Sequence, residues 1–191
     1  MINGLNLRFN EELKPRAFTD YIILHHSGVK ARHTAKDIHQ WHKNKGWAGI
    51  GYHYFIDKEG NIFECRPRDT VGAHAKGYNG NSIGVCFEGD FNKETMTDAQ
   101  CSDEVIRFLF FLGLTYPESQ FVFCDELKKH PMPTIKGFQK DELWKKYGIF
   151  YDGFHSERAR VFGEEWAQPF YDWWDDQLIE FGLYEPDEYD S

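Results

Sequence analysis

Two adjacent histidines, His25 and His26, follow the apolar run Tyr21-Ile-Ile-Leu24 and precede Ser27. A short apolar run closed by polar residues reads as a buried strand, which delivers His25 to the strand's C-terminal end. An imidazole in that place has the chemistry of a metal ligand. Zinc held by three protein groups with one position open activates water and stabilises an oxyanion, the two requirements of amide hydrolysis. A strand-end histidine can equally be structural. A second concentration of reactive groups lies in residues 49–90, GIGYHYFIDKEGNIFECRPRDTVGAHAKGYNGNSIGVCFEGD, which carry Tyr52, His53 and His74. Cys65, Cys86, Cys101 and Cys124 show no C-x-x-C spacing and are expected to be free thiols that pack.

The elements that would position these groups are legible in outline. Thr34 reads as an N-cap with Asp37 at N3, opening a helix whose apolar face is expected from Ile38 and Trp41 and which stops at Gly46. Tyr52–Ile56 and Asn61–Cys65 flank Asp57-Lys-Glu-Gly60 as a β-hairpin. Ile83–Phe87 is a further buried strand. Thr97 and Gln100 form a capping-box pattern ahead of a helix with Val105, Phe108, Leu109 and Leu112 on its core stripe. Phe121–Phe123 is a last short strand. Strands mixed with helices imply an α/β fold, a mixed central β-sheet flanked by helices.

From about residue 140 the character changes. Aromatic residues crowd an acidic stretch, and Phe170, Trp173 and Trp174 are spaced as a helical face. The expected organisation is a domain over 1–139 with an acidic, Trp-rich helical extension over 140–191 packed on it. The chain has 191 residues and a net charge of −9, with no Lys or Arg from 164 to the end. The rest is close to neutral, which excludes the basic footprint of a nucleic-acid binder. No apolar run is long enough to span a membrane, and the N-terminus lacks a secretory signal pattern. Cytoplasmic synthesis is therefore expected, with release to the cell wall by a separate pore also compatible.

From about Pro15 to Phe138 the chain resembles the type 2 N-acetylmuramoyl-L-alanine amidases, the family that includes peptidoglycan recognition proteins and phage lysozyme-type amidases. The resemblance rests on IILHHSG, on DIHQWHKNKGWAGIGYHYFIDKEGNIFECRP, on VGAHAKGYNGNSIGVCFEGDF and on the apolar helix after MTDAQ. It implies a zinc-centred peptide groove on one face of the sheet and cleavage of the bond between the lactyl group of N-acetylmuramic acid and L-alanine. Position by position, His25 matches the first zinc ligand, and Tyr52 matches a tyrosine that assists catalysis beside the metal. His74, Lys76 and Asn79 match a groove loop that contacts substrate. Trp47 either lines the groove or caps the helix end. Lys76 could pair with a stem-peptide carboxylate.

The remaining ligand positions depart from the family pattern. Aligned on Glu126-Leu127 and the following proline, Cys124 stands where the family has its second ligand histidine. Met132 stands at the ligand cysteine, and His130 at the catalytic lysine or threonine. A one-residue shift would instead place Asp125 in the histidine position. Cysteine thiolate is a good zinc ligand, whereas methionine is neutral and soft. His25, Cys124 and His130 would have an acceptable composition for catalytic zinc, but only if the loop re-forms to bring His130 to the metal. Two outcomes stand open: a rearranged zinc site that hydrolyses peptidoglycan, or an inactive amidase fold without metal. The inactive form would bind muropeptide, or a protein partner reached through acidic residues 164–191.

Overall fold

The computed structural model describes residues 2–128 and 135–146. Its strands and helices follow the chain as β1 (Ile2–Gly4), β2 (Tyr21–His26), α1 (Ala35–Asn44), β3 (Tyr54–Ile56), β4 (Ile62–Glu64), β5 (Ser82–Phe87), α2 (Asp103–Thr115) and β6 (Gln120–Phe123). The sheet order is β1-β4-β3-β5-β2-β6. β3 and β4 pair antiparallel, as a hairpin must, and the other neighbours are parallel. This is the mixed α/β sheet expected from the sequence. β1, a parallel edge strand, had no counterpart in the sequence reading.

Each helix covers one face. Phe55 and Cys86 form a buried cluster with Ala35 and Ile38 of α1, while Tyr54, one residue along β3, turns to the opposite face and meets Phe108 of α2 at 4.9 Å between ring centroids. Val105, Ile106, Phe108, Leu109, Phe110, Phe111 and Leu112 are all buried, so α2 is apolar around most of its circumference. Each such side chain contributes roughly 1.5–3 kcal/mol on burial.

The local signals of the sequence hold with two corrections. Thr34 caps α1 through a complete capping box with Asp37, an arrangement worth about 1 kcal/mol. The buried face of α1, however, is Ala35, Ile38, His39 and His42, whereas Trp41 is 38% exposed. Thr97 and Gln100 do exchange capping hydrogen bonds, but the turn that they open is the short 3-10 segment Ala99–Cys101, and α2 begins afresh with Ser102 as its cap. In the hairpin, Gly60 takes φ +81°, which its lack of a Cβ permits.

Contacts divide the chain into two units, Met1–Lys146 and Tyr147–Ser191. The helical residues 140–146 fall in the first of these units. Lys140 is tied to the turn after β6: its Nζ lies 2.7 Å from Asp125 and 3.0 Å from Glu126, and 4.6 Å from the centre of the Phe123 ring. The acidic, aromatic stretch from 147 onward lies outside the described residues.

Candidate active site

The site forms along one row of the sheet. Phe63, Phe55, Cys86 and His25 are register partners across β4, β3, β5 and β2. Paired residues share a face, so His25 points to the α1 side together with Phe55 and Cys86. His26 turns to the other face, where its ring stacks on Phe91 at 5.6 Å and its Nδ1 accepts the Phe91 amide at 2.9 Å. Of the two adjacent histidines, one thus faces the α1 side and the other anchors a loop.

Tyr52 and His74 stand against His25, and Cys124 lies just past the end of β6, the strand beside β2. The His25 ring lies 5.2 Å from Tyr52 and 5.0 Å from His74. Its Nε2 is 3.0 Å from His74 Nδ1. Burial above all, with the Cys86 and Cys124 thiols nearby, holds the Tyr52 hydroxyl well above the ordinary phenol value, so it stays protonated. Cys124 opens a 3-10 turn directly after β6 and is buried, and desolvation, reinforced by Asp125, pushes its thiol up to about 12.

The loop between β4 and β5 is locked from beneath. Asn79 Oδ1 accepts the amides of both His74 and Ala75 at 2.8 Å. Asn79 therefore holds the loop through its Oδ1. His74 is turned inward: it packs against Gly84 and Gly72, where an added Cβ would lie 2.5 Å from its ring. Burial drives its pKa well below the ordinary imidazole value. Lys76 stays exposed on the same loop. Trp47 is 42% exposed and packs over His42 at 4.6 Å between ring centroids, with Lys45 Nζ 5.8 Å from its ring.

Several buried histidines outside the expected set support this arrangement. His39 and His42 accept the amides of Ile50 and Gly51. His53 accepts the Gly84 amide through Nδ1 at 3.0 Å and lies 2.9 Å from the Thr70 carbonyl through Nε2. Burial takes it down to about 3. The positions 35, 38, 39 and 42 follow helical spacing, and that spacing was the signal that could have placed His39 and His42 on the buried side.

Residues 15–105 match the model of the N-acetylmuramoyl-L-alanine amidase family. The endolysin of Enterobacteria phage T3 is 43% identical over 106 residues, covering 54% of this chain and 70% of the endolysin. The chain belongs to the N-acetylmuramoyl-L-alanine amidase family. Among solved structures, the amidase LysC from Clostridium intestinale superposes with a TM-score of 0.70 at 30% identity, over 78% of this chain and 97% of LysC. The peptidoglycan-recognition protein SC2 of Drosophila simulans is 36% identical over 92 residues, 44% of this chain and 50% of that protein.

Amidases of this family are typically zinc-dependent. Among the described residues, no three His, Cys, Asp or Glu side chains converge as a metal site. His25 and Cys124, an imidazole and a thiol at neighbouring strand ends, fit zinc as two of its donors. His130 and Met132 lie outside the described residues.

Proposed function

We propose that this protein is a peptidoglycan amidase that hydrolyses the bond between the lactyl group of N-acetylmuramic acid and L-alanine of the stem peptide. The observation that carries the reading is the Tyr52 ring and the His25 imidazole held 5.2 Å apart between centroids at the end of the sheet. In this reading His25, Cys124 and His130 hold zinc, which would supply a Lewis acid and a water of lowered pKa. Tyr52 keeps its proton and donates it as a hydrogen bond to the oxyanion that develops on the lactyl carbonyl. Trp47 offers an exposed ring as a wall of the groove, and Lys76 an exposed ammonium to a stem-peptide carboxylate. Made in the cytoplasm, such a protein would reach the wall after release in the manner of an endolysin.

The deciding experiment is metal analysis of protein purified without chelator, alongside release of soluble products from purified peptidoglycan. One equivalent of zinc with hydrolysis, both lost in His25→Ala, is the expected result. A chain that takes up no zinc and leaves peptidoglycan intact overturns the amidase reading, and muropeptide binding by that chain in chelator would assign it as a binding module.

A further inference from the structure

The hydrogen bonds around His74 form a directed chain. Ser82 Oγ–H donates to the Tyr78 carbonyl at 2.6 Å. With its proton committed there, Ser82 Oγ meets His74 Nε2, 3.4 Å away, as an acceptor. His74 therefore carries its proton on Nε2, and its Nδ1 is left as a lone pair. That lone pair faces His25 Nε2 at 3.0 Å, so His25 is the donor and carries its own proton on Nε2. The lone pair of the His25 ring then resides on Nδ1.

We propose that His74 is a positioning residue that selects the Nε2–H tautomer of His25, orients its ring, and so makes Nδ1 the nitrogen through which His25 binds zinc. The proposal rests on the zinc amidase reading for the metal, but the tautomer stands independently of it. An imidazole ligand binds metal through one nitrogen, and the partner of the other nitrogen fixes the ring and raises its basicity.

The seat for His74 is built into the backbone. Gly84 lies in β5 and Gly72 in the preceding loop; a Cβ on either would come within 2.5 Å of the His74 ring. Asn79 clamps the two amides that bracket the side chain. Ser82 sits in the first position of β5 and is fully buried, so its hydroxyl has a fixed place. Tyr78, Ser82, Gly84 and His74 all belong to one segment, residues 72–84, which therefore acts as a preformed orienting unit for a ligand on a different strand.

The test is a long-range proton–nitrogen NMR spectrum of 15N-histidine-labelled full-length protein, with and without added zinc. The expected result is an Nε2–H tautomer at His25 and at His74 in the metal-free protein, with zinc shifting the His25 Nδ1 resonance. His74→Leu removes the acceptor; it should mix the His25 tautomers and weaken zinc binding by about 10- to 100-fold. His74→Asn, whose amide oxygen can stand in for Nδ1, should recover most of that loss. An Nδ1–H tautomer at His25, or zinc bound through Nε2, overturns the proposal, as does unchanged zinc affinity in a folded His74→Leu protein. If His74→Leu does not fold, the wild-type spectrum still decides. If the wild-type protein takes no zinc, the amidase reading fails, while the metal-free tautomer at His25 continues to support or overturn the relay.

Discussion

His42 Nδ1 accepts the backbone N–H of Gly51 at 3.1 Å, immediately before Tyr52 in the chain. One turn earlier in α1, His39 Nδ1 accepts the neighbouring Ile50 amide at 3.2 Å, and His39 Nε2 reaches the Arg8 carbonyl at 3.1 Å. The helix thus holds the approach to Tyr52 through two imidazole lone pairs. Neither bond survives protonation of the accepting nitrogen.

A pH dependence follows. Burial first, and the charge of Lys45 second, hold His42 down to about 4, and burial lowers His39 as well. Because the folded value lies below the ordinary one, the unfolded chain takes up the proton first as pH falls. The contribution is complete above pH ~6.5 and is lost as pH falls toward 4; for His42 it amounts to roughly 3 kcal/mol. Urea unfolding at pH 7.5 and 4.5 measures it. His42→Leu should be less stable at pH 7.5 by about 1–3 kcal/mol, because the buried Gly51 amide loses its acceptor. The same variant should lose less stability between the two pH values, and a slope equal to the wild type would refute the assignment.

Tyr52→Phe separates chemistry from folding. The change removes one hydroxyl and keeps the ring that sits against His25 and His42. If the hydroxyl stabilises the oxyanion, activity on peptidoglycan should fall about 10²–10³-fold, mostly in kcat. Stability should change by no more than about 1.5 kcal/mol, the upper worth of a single hydroxyl hydrogen bond. Wild-type activity in the variant would remove Tyr52 from the mechanism.

Residues with one strong local determinant were legible in the sequence. His25 follows an apolar strand, Thr34 and Asp37 form a capping box, and Gly60 sits where the hairpin needs a left-handed residue. Residues whose role depends on which polar group meets which were not. Trp41 looks like the natural core residue of α1, yet His39 and His42 take the buried side because each satisfies a backbone amide of the Gly49–Tyr52 approach. His74 and Asn79 sit in a loop that a family resemblance marks as substrate-facing, and the sequence did not show their internal partners, the loop's own amides for Asn79 and His25 for His74. β1 is only three residues long and gains its order from pairing with β4, a partner remote in sequence.

The four cysteines should behave alike in the native metal-free protein. All are free and buried. Desolvation pushes Cys101 up to about 11 and Cys124 to about 12, and raises Cys65 and Cys86 as well. Since the thiolate is the nucleophile, Ellman's reagent at pH 8 should titrate no thiol rapidly in the folded protein and four after denaturation. A fast-reacting thiol in the folded chain would contradict this packing.

Gly84→Ala tests whether the seat of His74 matters to the whole site. The new Cβ would lie 2.5 Å from His74 Cγ and 2.7 Å from its Nδ1. Those atoms are close to the His74 backbone, which Asn79 clamps, so the ring cannot swing aside cheaply. β5 cannot retreat either, since the Gly84 amide is bonded to His53 Nδ1 and its carbonyl to the His53 amide at 2.9 Å. Overpacking of this kind costs about 1–3 kcal/mol, and the displaced ring gives up its bond to His25. Gly80→Ala is the matched control, because a Cβ there meets nothing within 4 Å. It should stay within about 0.5 kcal/mol of the wild type in urea unfolding. Equal stability of the two variants would mean that the strand and loop yield at no cost, and that His74 is not held where the structure places it.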